Sequence, residues 1–298
     1  FMQEDVFVDE NKVTVPAGIN LGANRRLLGE DVAEGTTILK RGQRLRPQEI
    51  GLLASVGLSE ISVYKKLRVC VFSTGDEICD PSGDAPDGCI FDANRFTVIN
   101  SLRGLGCKVT DLGILKDDEK TIRNSLEEAA VEHDLMFTSG GVSVGDGDHI
   151  KSAVESLGSI YFWRLAIKPG RPIAFGQVLK TPFVGLPGNP VAAMVTFIRI
   201  ARFIVLRLSG VSDDIHPKLY RVFAGFDFSS RGGRREWLRA QLKVGNNGDL
   251  YAHLFPAKGS GILSSMVNSS GLVEIGEEMS QIRSGDLVNF LPFNEIYT

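Results

Sequence analysis

Val69-Cys70-Val71-Phe72 is an uninterrupted apolar run that leads directly into Ser73-Thr74-Gly75-Asp76-Glu77. A strand buried on both faces has no polar alternation, so the run predicts a central strand of a parallel sheet. The hydroxyls, glycine and carboxylates that follow would lie at the carboxyl end of that strand, where open α/β sheets bind their ligands. These nine residues therefore predict both a fold class and one edge of a site.

The residues that follow alternate between two apolar patterns. Apolar side chains three and four positions apart predict helices over residues 91–105, 119–131, 150–157 and 191–208. Short apolar runs predict strands over residues 109–114 and 134–137. This βαβαβ order predicts an α/β fold, with a parallel sheet and helices on both of its faces.

The regions on either side of this pattern differ from it. Residues 1–66 contain short strands and turns, with a helix predicted over residues 47–56. Beyond Gly210, short strands separated by Gly, Asn and Ser predict a small antiparallel β-barrel. The prediction is a small β-rich N-terminal segment (1–66), an α/β domain (67–210) and a C-terminal β-barrel-like domain (211–298).

Composition excludes several classes of protein. The chain has 298 residues, of which 43% are hydrophobic and 23% charged, so wholesale disorder is excluded. The balance of 33 basic and 36 acidic residues gives a net charge of −3, which predicts no nucleic-acid partner and no anionic membrane surface. Four dispersed cysteines are typical of the reducing cytoplasm. Phe1 is not an initiator methionine, which predicts a fragment of a longer chain.

Glycine-rich turns follow the predicted strand over residues 134–137 and a later predicted strand that leads into Gly185. Thr138-Ser139-Gly140-Gly141 leads into a helix, and Pro187-Gly188-Asn189 precedes another. Such turns present free backbone N–H groups at a helix N-terminus, where phosphate binds well. The alternative is that these glycines only make tight turns.

Three carboxylates at the same sheet edge, Glu77, Asp117 and Asp148, need a separate explanation. They would repel a phosphate unless a cation lay between them, and Mg²⁺ binds one or two carboxylates together with phosphate oxygens. The alternative for Asp148, and for Asp118, is capping of a helix N-terminus, which is compatible with metal binding at Asp148.

The same loop contains a competing pattern. Gly141-Val142-Ser143-Val144-Gly145 fits the nucleophile elbow of α/β-hydrolases. That motif needs a more distant downstream histidine, and His149, His216 and His253 are poorly placed for it, so the esterase hypothesis is disfavoured.

Basic residues predict an anion site away from the glycine turns. Lys168-Pro169-Gly170-Arg171-Pro172 holds two cations on a restricted backbone, with Arg164 just before them. Restriction by proline lowers the entropy lost when an anion binds. Other arginines lie in the predicted barrel, where a solvated loop is the simpler account of Arg231.

Taken together, these motifs resemble the MoeA-type molybdopterin molybdenumtransferases, relatives of the gephyrin E domain. The resemblance covers nearly the whole chain and is carried by Asn24–Asp31, Ser73–Glu77, Asp92–Asn94, Leu112–Ile114, Thr138–Asp148, Lys168–Pro172 and Gly185–Pro190. It implies the last step of molybdenum cofactor synthesis, in which adenylylated molybdopterin and molybdate are joined and AMP is released. It also implies assistance by Mg²⁺, a homodimer, and possible delivery of substrate by the upstream adenylyltransferase.

The resemblance assigns roles to residues of this chain. The catalytic residues would be Glu77, Asp117, Asp148, Lys168 and Asp31, and the metal ligands Glu77, Asp117 and Asp148. The α/β domain would bind the molybdopterin substrate through Thr74, Gly75, Ser139, Gly140, Gly141, Val142, Ser143, Gly145, Pro187, Gly188 and Asn189. Molybdate would be bound by Lys168, Arg239, Ser260 and Arg164, the last standing where some relatives have lysine. The first residues, Phe1–Asp5, resemble the middle of the family's chain, which implies N-terminal truncation and poor turnover.

Two other functions remain open at this point. An adenylyltransferase of the MogA type shares the sheet domain and its glycine loop, but the predicted barrel and residues 1–66 argue against it. A non-enzymatic scaffold like gephyrin would need no carboxylates, so the intact acidic set argues for chemistry.

Overall fold

The computed structural model describes residues 1–84, 86–141, 149–212 and 215–296, without the side chains of Phe162 and Trp163. The chain forms two compact units, Phe1–Ile61 and Ser62–Thr298. The domain boundaries predicted after residues 66 and 210 stay predictions. Within the described residues, no helix combines the length and apolar character needed to cross a membrane.

The first unit is built from short elements. Strands β1 (Phe7–Asp9) and β2 (Lys12–Thr14) form an antiparallel hairpin, and helix α1 spans Pro47–Ser55. Proline is favoured in the first turn of a helix because no N–H is needed there, which explains why α1 begins at Pro47. The predicted helix over residues 47–56 is thus present.

The first part of the second unit contains a six-stranded sheet with helices on both faces. Its elements in chain order are β3 (Arg68–Thr74), β4 (Ile78–Cys79), β5 (Ile90–Phe91), α2 (Ala93–Gly104), β6 (Lys108–Leu115), α3 (Glu119–Glu132), β7 (Leu135–Ser139), α4 (His149–Leu157), β8 (Gly158–Arg164), β9 (Ile167–Lys168), β10 (Pro172–Val178), β11 (Thr181–Leu186), α5 (Pro190–Thr196) and α6 (Arg202–Leu208). The strand order of the sheet is β6-β3-β7-β11-β10-β8, and the short strands β4, β5 and β9 lie outside that sheet.

The apolar run in β3 is buried on both faces, as its sequence predicts. Val69 and Val71 pack into one core cluster with α2 and the α5 region, and Cys70 and Phe72 pack into a second cluster with α3 and α4. All four side chains are fully buried. The two clusters fix the carboxyl end of β3 between its neighbours β6 and β7, with which it pairs in parallel.

The sheet is parallel only over four strands. β10 and β8 extend it with antiparallel pairing. The sequence predicts no strand over residues 158–178, so these two strands are a finding of the structure. The long predicted helix over residues 191–208 is present as α5 and α6, joined by a π-helical turn at Phe197–Ala201.

The rest of the second unit is a closed β-barrel. Its elements are β12 (Tyr220–Ala224), β13 (Phe228–Ser229), β14 (Arg235–Val244), β15 (Leu250–Leu254), α7 (Ser264–Val267), β16 (Gly271–Ile275), β17 (Gln281–Ile282) and β18 (Leu287–Pro292). The order β15-β12-β18-β16-β14 closes through β14–β15 pairing, and only the β12–β15 pair in this ring is parallel. β9 joins β14 in parallel, which attaches the barrel to the α/β layer.

Candidate active site

A cavity of about 850 Å³ lies in the second unit, where the carboxyl ends of β3 and β7 face the barrel. This volume is typical of a small-molecule site. Its α/β wall includes Ser73, Thr74, Glu77, Ile78, Ile90, Asp92, Asn94, Ser139, Gly140, Gly141, Pro187, Gly188 and Asn189. Its other wall includes Lys168, Phe228, Leu238, Arg239, Leu254, Phe255, Ala257, Lys258 and Ser260. The cavity thus brings together most of the residues that the sequence assigned to separate motifs.

Three buried hydroxyl groups form the floor of the cavity. Ser73 and Ser139 are neighbours across the β3–β7 pair, and Thr74 follows Ser73. All three side chains are at most 3% exposed, and none of their hydroxyls has a hydrogen-bond partner within the described protein. Buried polar groups are almost always paired, so these hydroxyls are available to a polar ligand.

The glycine turn after β7 requires glycine for steric reasons. Gly140 and Gly141 both have positive φ. A Cβ on Gly140 would lie 2.8 Å from the carbonyl oxygen of Thr74, and one on Gly141 would lie 2.4 Å from Ile150 Cδ1. The backbone of the turn can therefore approach the end of β3 closely. The residues that follow, including Val142, Ser143, Gly145 and Asp148, lie outside the described residues.

The second turn, Pro187-Gly188-Asn189, is held from two sides. Asn94 on α2 donates a hydrogen bond from Nδ2 to the Gly188 carbonyl at 2.6 Å. The Val191 N–H donates to the Ser260 carbonyl at 3.0 Å, which connects the start of α5 to the barrel loop. These contacts keep Ser260 next to the glycine turn across the cavity.

Lys168 and Arg239, which share the barrel side of the cavity with Lys258, have different electrostatic surroundings. Lys168 donates from Nζ to Glu236 Oε2 at 2.9 Å, and about half of its side chain is exposed. Arg239 is only 7% exposed, and its donors reach Ser265 Oγ and the carbonyls of Ala257 and Gly259. Within the described residues, no carboxylate pairs with Arg239, and burial lowers its pKa. A buried cation without a counter-ion is a strong site for an anion.

The acidic edge is only partly assembled within the described residues. Glu77 lines the cavity, whereas Asp117 is half-buried and does not. Burial raises the pKa of Asp117, and the carboxylates of Asp76 and Glu77 raise it further while His149 opposes them. No three carboxylate, histidine or cysteine side chains in the described part of the chain are grouped closely enough to hold a metal ion. The predicted third ligand, Asp148, is outside that part.

A single buried arginine, which no motif pointed to, binds three aspartates near one rim of the cavity. Arg95, 3% exposed at the start of α2, binds the carboxylates of Asp80, Asp92 and Asp111. Asp92 also caps α2 by accepting from the Arg95 N–H at 3.1 Å. Because Asp80 and Asp92 bracket the segment that carries Ile90, Arg95 fixes one rim of the cavity.

Gly75 explains how Glu77 reaches the cavity. Gly75 has a φ of +136°, and a Cβ there would lie 3.0 Å from Glu77 Oε2. The absent side chain leaves room for the Glu77 carboxylate to fold back over the end of β3.

Four described residues with a predicted role are not among those that line the cavity: Gly75, Asp117, Arg164 and Asp31. Arg164 is exposed at the end of β8, and Asp31 is exposed within the first unit. Their proposed roles stay predictions. Conversely, Asn94, Lys258 and Glu236 have no predicted role of their own. The hydroxyl of Ser73 is predicted at the strand end, and it lies there beside Thr74. Glu236 could not have been found from the sequence, because only the β9–β14 pairing brings it to Lys168.

Known families match the chain along most of its length. Residues 1–57 match the MoeA N-terminal region (domains I and II), residues 70–207 match a probable molybdopterin binding domain, and residues 221–293 match the MoeA C-terminal region (domain IV). The C-terminal match coincides with the β-barrel. A match to the barrel favours this family over the MogA-type adenylyltransferases, which share only the sheet domain with this chain.

Individual relatives agree with the family matches. The chain is 36% identical to the molybdopterin molybdenumtransferase of Haemophilus influenzae over 99% of its own length and 73% of that protein. It is 34% identical to molybdopterin molybdenumtransferase 2 of Mycobacterium tuberculosis, over 89% of its own length and 66% of the relative. A crystal structure of the molybdopterin biosynthesis MoeA protein from Pyrococcus horikoshii superposes with a TM-score of 0.77 at 27% identity, covering 98% of this chain and 71% of that one. The chain therefore belongs to the MoeA family of molybdopterin molybdenumtransferases, enzymes of molybdenum cofactor biosynthesis.

Proposed function

We propose that the cavity joins molybdate to adenylylated molybdopterin and releases AMP. The observation that carries this proposal is Arg239, a buried guanidinium without a carboxylate partner among the described residues, on the wall of a cavity of suitable size. Molybdate is a tetrahedral dianion that only accepts hydrogen bonds at neutral pH, so it needs a site rich in donors. Arg239, Lys168 and Ser260 supply donors from three different segments of the barrel side.

The opposite wall fits the organic substrate. The unpartnered hydroxyls of Ser73, Thr74 and Ser139 can donate to phosphate or carbonyl oxygens, and the Gly140–Gly141 turn exposes backbone to them. Phe228, Leu238 and Leu254 offer an apolar surface to a flat ring. We therefore expect molybdate to bind on the barrel side and the pterin substrate on the sheet side.

A divalent cation fits the acidic edge only together with substrate phosphates. Burial, and after it the charges of carboxylates that include Glu77, raise the pKa of Asp117, and a cation would relieve the repulsion among these carboxylates. Mg²⁺ needs only one or two carboxylates when phosphate oxygens complete its shell. When bound, it would neutralise charge on the phosphoanhydride that is cleaved when AMP leaves. We expect Glu77→Gln and Asp148→Asn to lower Mg²⁺-dependent AMP release.

Membership of the family also supports expectations about how the protein assembles and where it is located. A homodimer, a cytoplasmic location and contact with the adenylyltransferase that makes the substrate are properties that the family membership suggests for this chain. All four cysteines are free thiols, which is compatible with a reducing compartment. Light scattering of the purified protein tests the dimer.

Molybdate affinity tests the central assignment. We expect Arg239→Ala to weaken molybdate binding by about tenfold to a hundredfold, because each charge-assisted hydrogen bond is worth about 1.5–3 kcal/mol. Pterin affinity should change much less. Arg239→Lys keeps the charge but loses the contacts to Ala257 and Gly259, so its loss should be smaller.

Arg221→Ala is the matched control, because Arg221 is an exposed barrel arginine outside the cavity lining. It should leave both affinities unchanged. Unchanged molybdate affinity in Arg239→Ala, or an equal loss for both ligands, would argue against a dedicated oxyanion pocket.

A further inference from the structure

Glu236 is a buried carboxylate behind the cavity wall whose role no motif suggested. It lies on β14 opposite Lys168 of β9 and is 2% exposed. Its Oε2 accepts from Lys168 Nζ at 2.9 Å, and its Oε1 accepts from Ser230 Oγ at 2.9 Å. Both of its oxygens are therefore engaged, and the carboxylate holds the ammonium group that faces the cavity.

The pairing with Glu236 makes Lys168 less attractive to an anion than Arg239. Lys168 lines the cavity with its charge compensated by Glu236, whereas Arg239 lines it without a carboxylate partner among the described residues. An oxyanion that contacts Lys168 would also be repelled by Glu236 at short range. Since Glu236 is buried, water screens this repulsion poorly.

We propose that Glu236 is a built-in counter-ion that limits how tightly the pocket holds a tetrahedral dianion. The inference rests on the proposed function, which places molybdate against Lys168 and Arg239. Glu236 acts through Lys168 and not on the reacting atoms, so it is a positioning residue. Its effect is to keep molybdate bound weakly enough to be passed on to the pterin substrate.

A merely structural role for Glu236 predicts the opposite result. If the carboxylate only braces β9 against β14, then its removal should loosen the pocket and weaken anion binding. Damage to a binding site does not tighten it, so the sign of the change separates the two roles.

The test is Glu236→Gln, which keeps the size of the side chain and can still accept from Lys168 while its amide donates to Ser230. We expect molybdate affinity to rise about tenfold. Coulomb energy scales with ligand charge, so perrhenate, a tetrahedral monoanion, should gain only about threefold. Binding is measured by calorimetry on the purified chain, and Glu236→Met serves as a second neutral variant.

Glu295→Gln is the control, because it removes the same charge from a carboxylate that binds Tyr220 outside the cavity lining. It should change neither affinity. Three results would overturn the role of Glu236. Both Glu236 variants could bind molybdate more weakly or no better than the wild type, the two anions could gain equally, or both variants could fail to fold. If the wild-type chain binds molybdate, these results leave the proposed function standing, whereas absence of wild-type binding overturns both.

Discussion

Asp117, at the acidic edge of the sheet, has surroundings that disfavour its charge. Burial raises its pKa above the ordinary value for aspartate, and the neighbouring carboxylates add to the shift. A carboxyl group whose pKa is higher in the folded state destabilises the fold when it is ionised. This cost is complete above the folded-state pKa and disappears as the pH falls below the unfolded-state value, which is about 3.9 for aspartate.

We therefore expect Asp117→Asn to melt at a higher temperature than the wild type near neutral pH, with the difference vanishing in acid. Added Mg²⁺ should stabilise the wild type more than the variant. Thermal melts across the acidic range, with and without Mg²⁺, measure both effects. A stability difference that is the same at every pH would mean that the charge of Asp117 is not its cause.

At the scale of elements, the turn after β7 is the part of the site most sensitive to small changes. Gly141→Ala would combine a positive φ with a Cβ placed 2.4 Å from Ile150 Cδ1 and 2.7 Å from Thr74 Oγ1. The left-handed conformation alone costs about 1–2 kcal/mol for a non-glycine residue. The steric overlap adds to this and would shift both the turn and α4.

Gly106→Ala separates these two contributions. Gly106 also has a positive φ, but nothing lies within 4 Å of its hypothetical Cβ. We expect Gly106→Ala to lose about 1–2 kcal/mol of unfolding free energy and to keep substrate affinity. Gly141→Ala should lose more stability and also affinity, as urea denaturation and ligand titration would reveal. Equal losses in the two variants would mean that the close approach is unimportant.

At the scale of the whole molecule, a buried ion pair connects the helical layer to the barrel. Arg199, on the π-helical turn, pairs with Glu274 of β16, and both side chains are at most 10% exposed. Glu274 also accepts from Trp237 Nε1 at 2.8 Å, and Arg199 Nε and Nη1 have no partner within the described protein. Removing the carboxylate would leave a buried guanidinium without its counter-ion.

We expect Glu274→Gln to lower the unfolding free energy by about 3–5 kcal/mol, the usual cost of breaking a buried pair from one side. Glu277→Gln is the matched control, because Glu277 likewise pairs with an arginine, Arg235, but is 44% exposed. That control should cost no more than about 1 kcal/mol. Urea denaturation measures both losses of unfolding free energy. Similar losses in the two variants would show that burial does not raise the cost of breaking the Arg199–Glu274 pair.

The sequence alone determined the features that depend on neighbouring residues. The Val69–Phe72 run predicted a strand buried on both faces, and helical spacing predicted α2, α3 and α4 close to their observed bounds. Glycines and hydroxyls at strand ends predicted the sheet side of the cavity. Periodicity and turn chemistry act over a few residues, so the linear sequence records them.

Only the tertiary structure decided the features that depend on pairing between distant segments. The sequence predicts no strand over β8 and β10, which are ordered by pairing with each other and with β11. The pairing of β9 with β14 brings Glu236 to Lys168, which is 68 residues away, and closure of the barrel carries Arg239 to the cavity wall. Whether a cation has a counter-ion depends on burial and on which chain segments meet. For this reason, the sequence could list the charges of the pocket, and only the fold shows that Lys168 is compensated within the described protein and Arg239 is not.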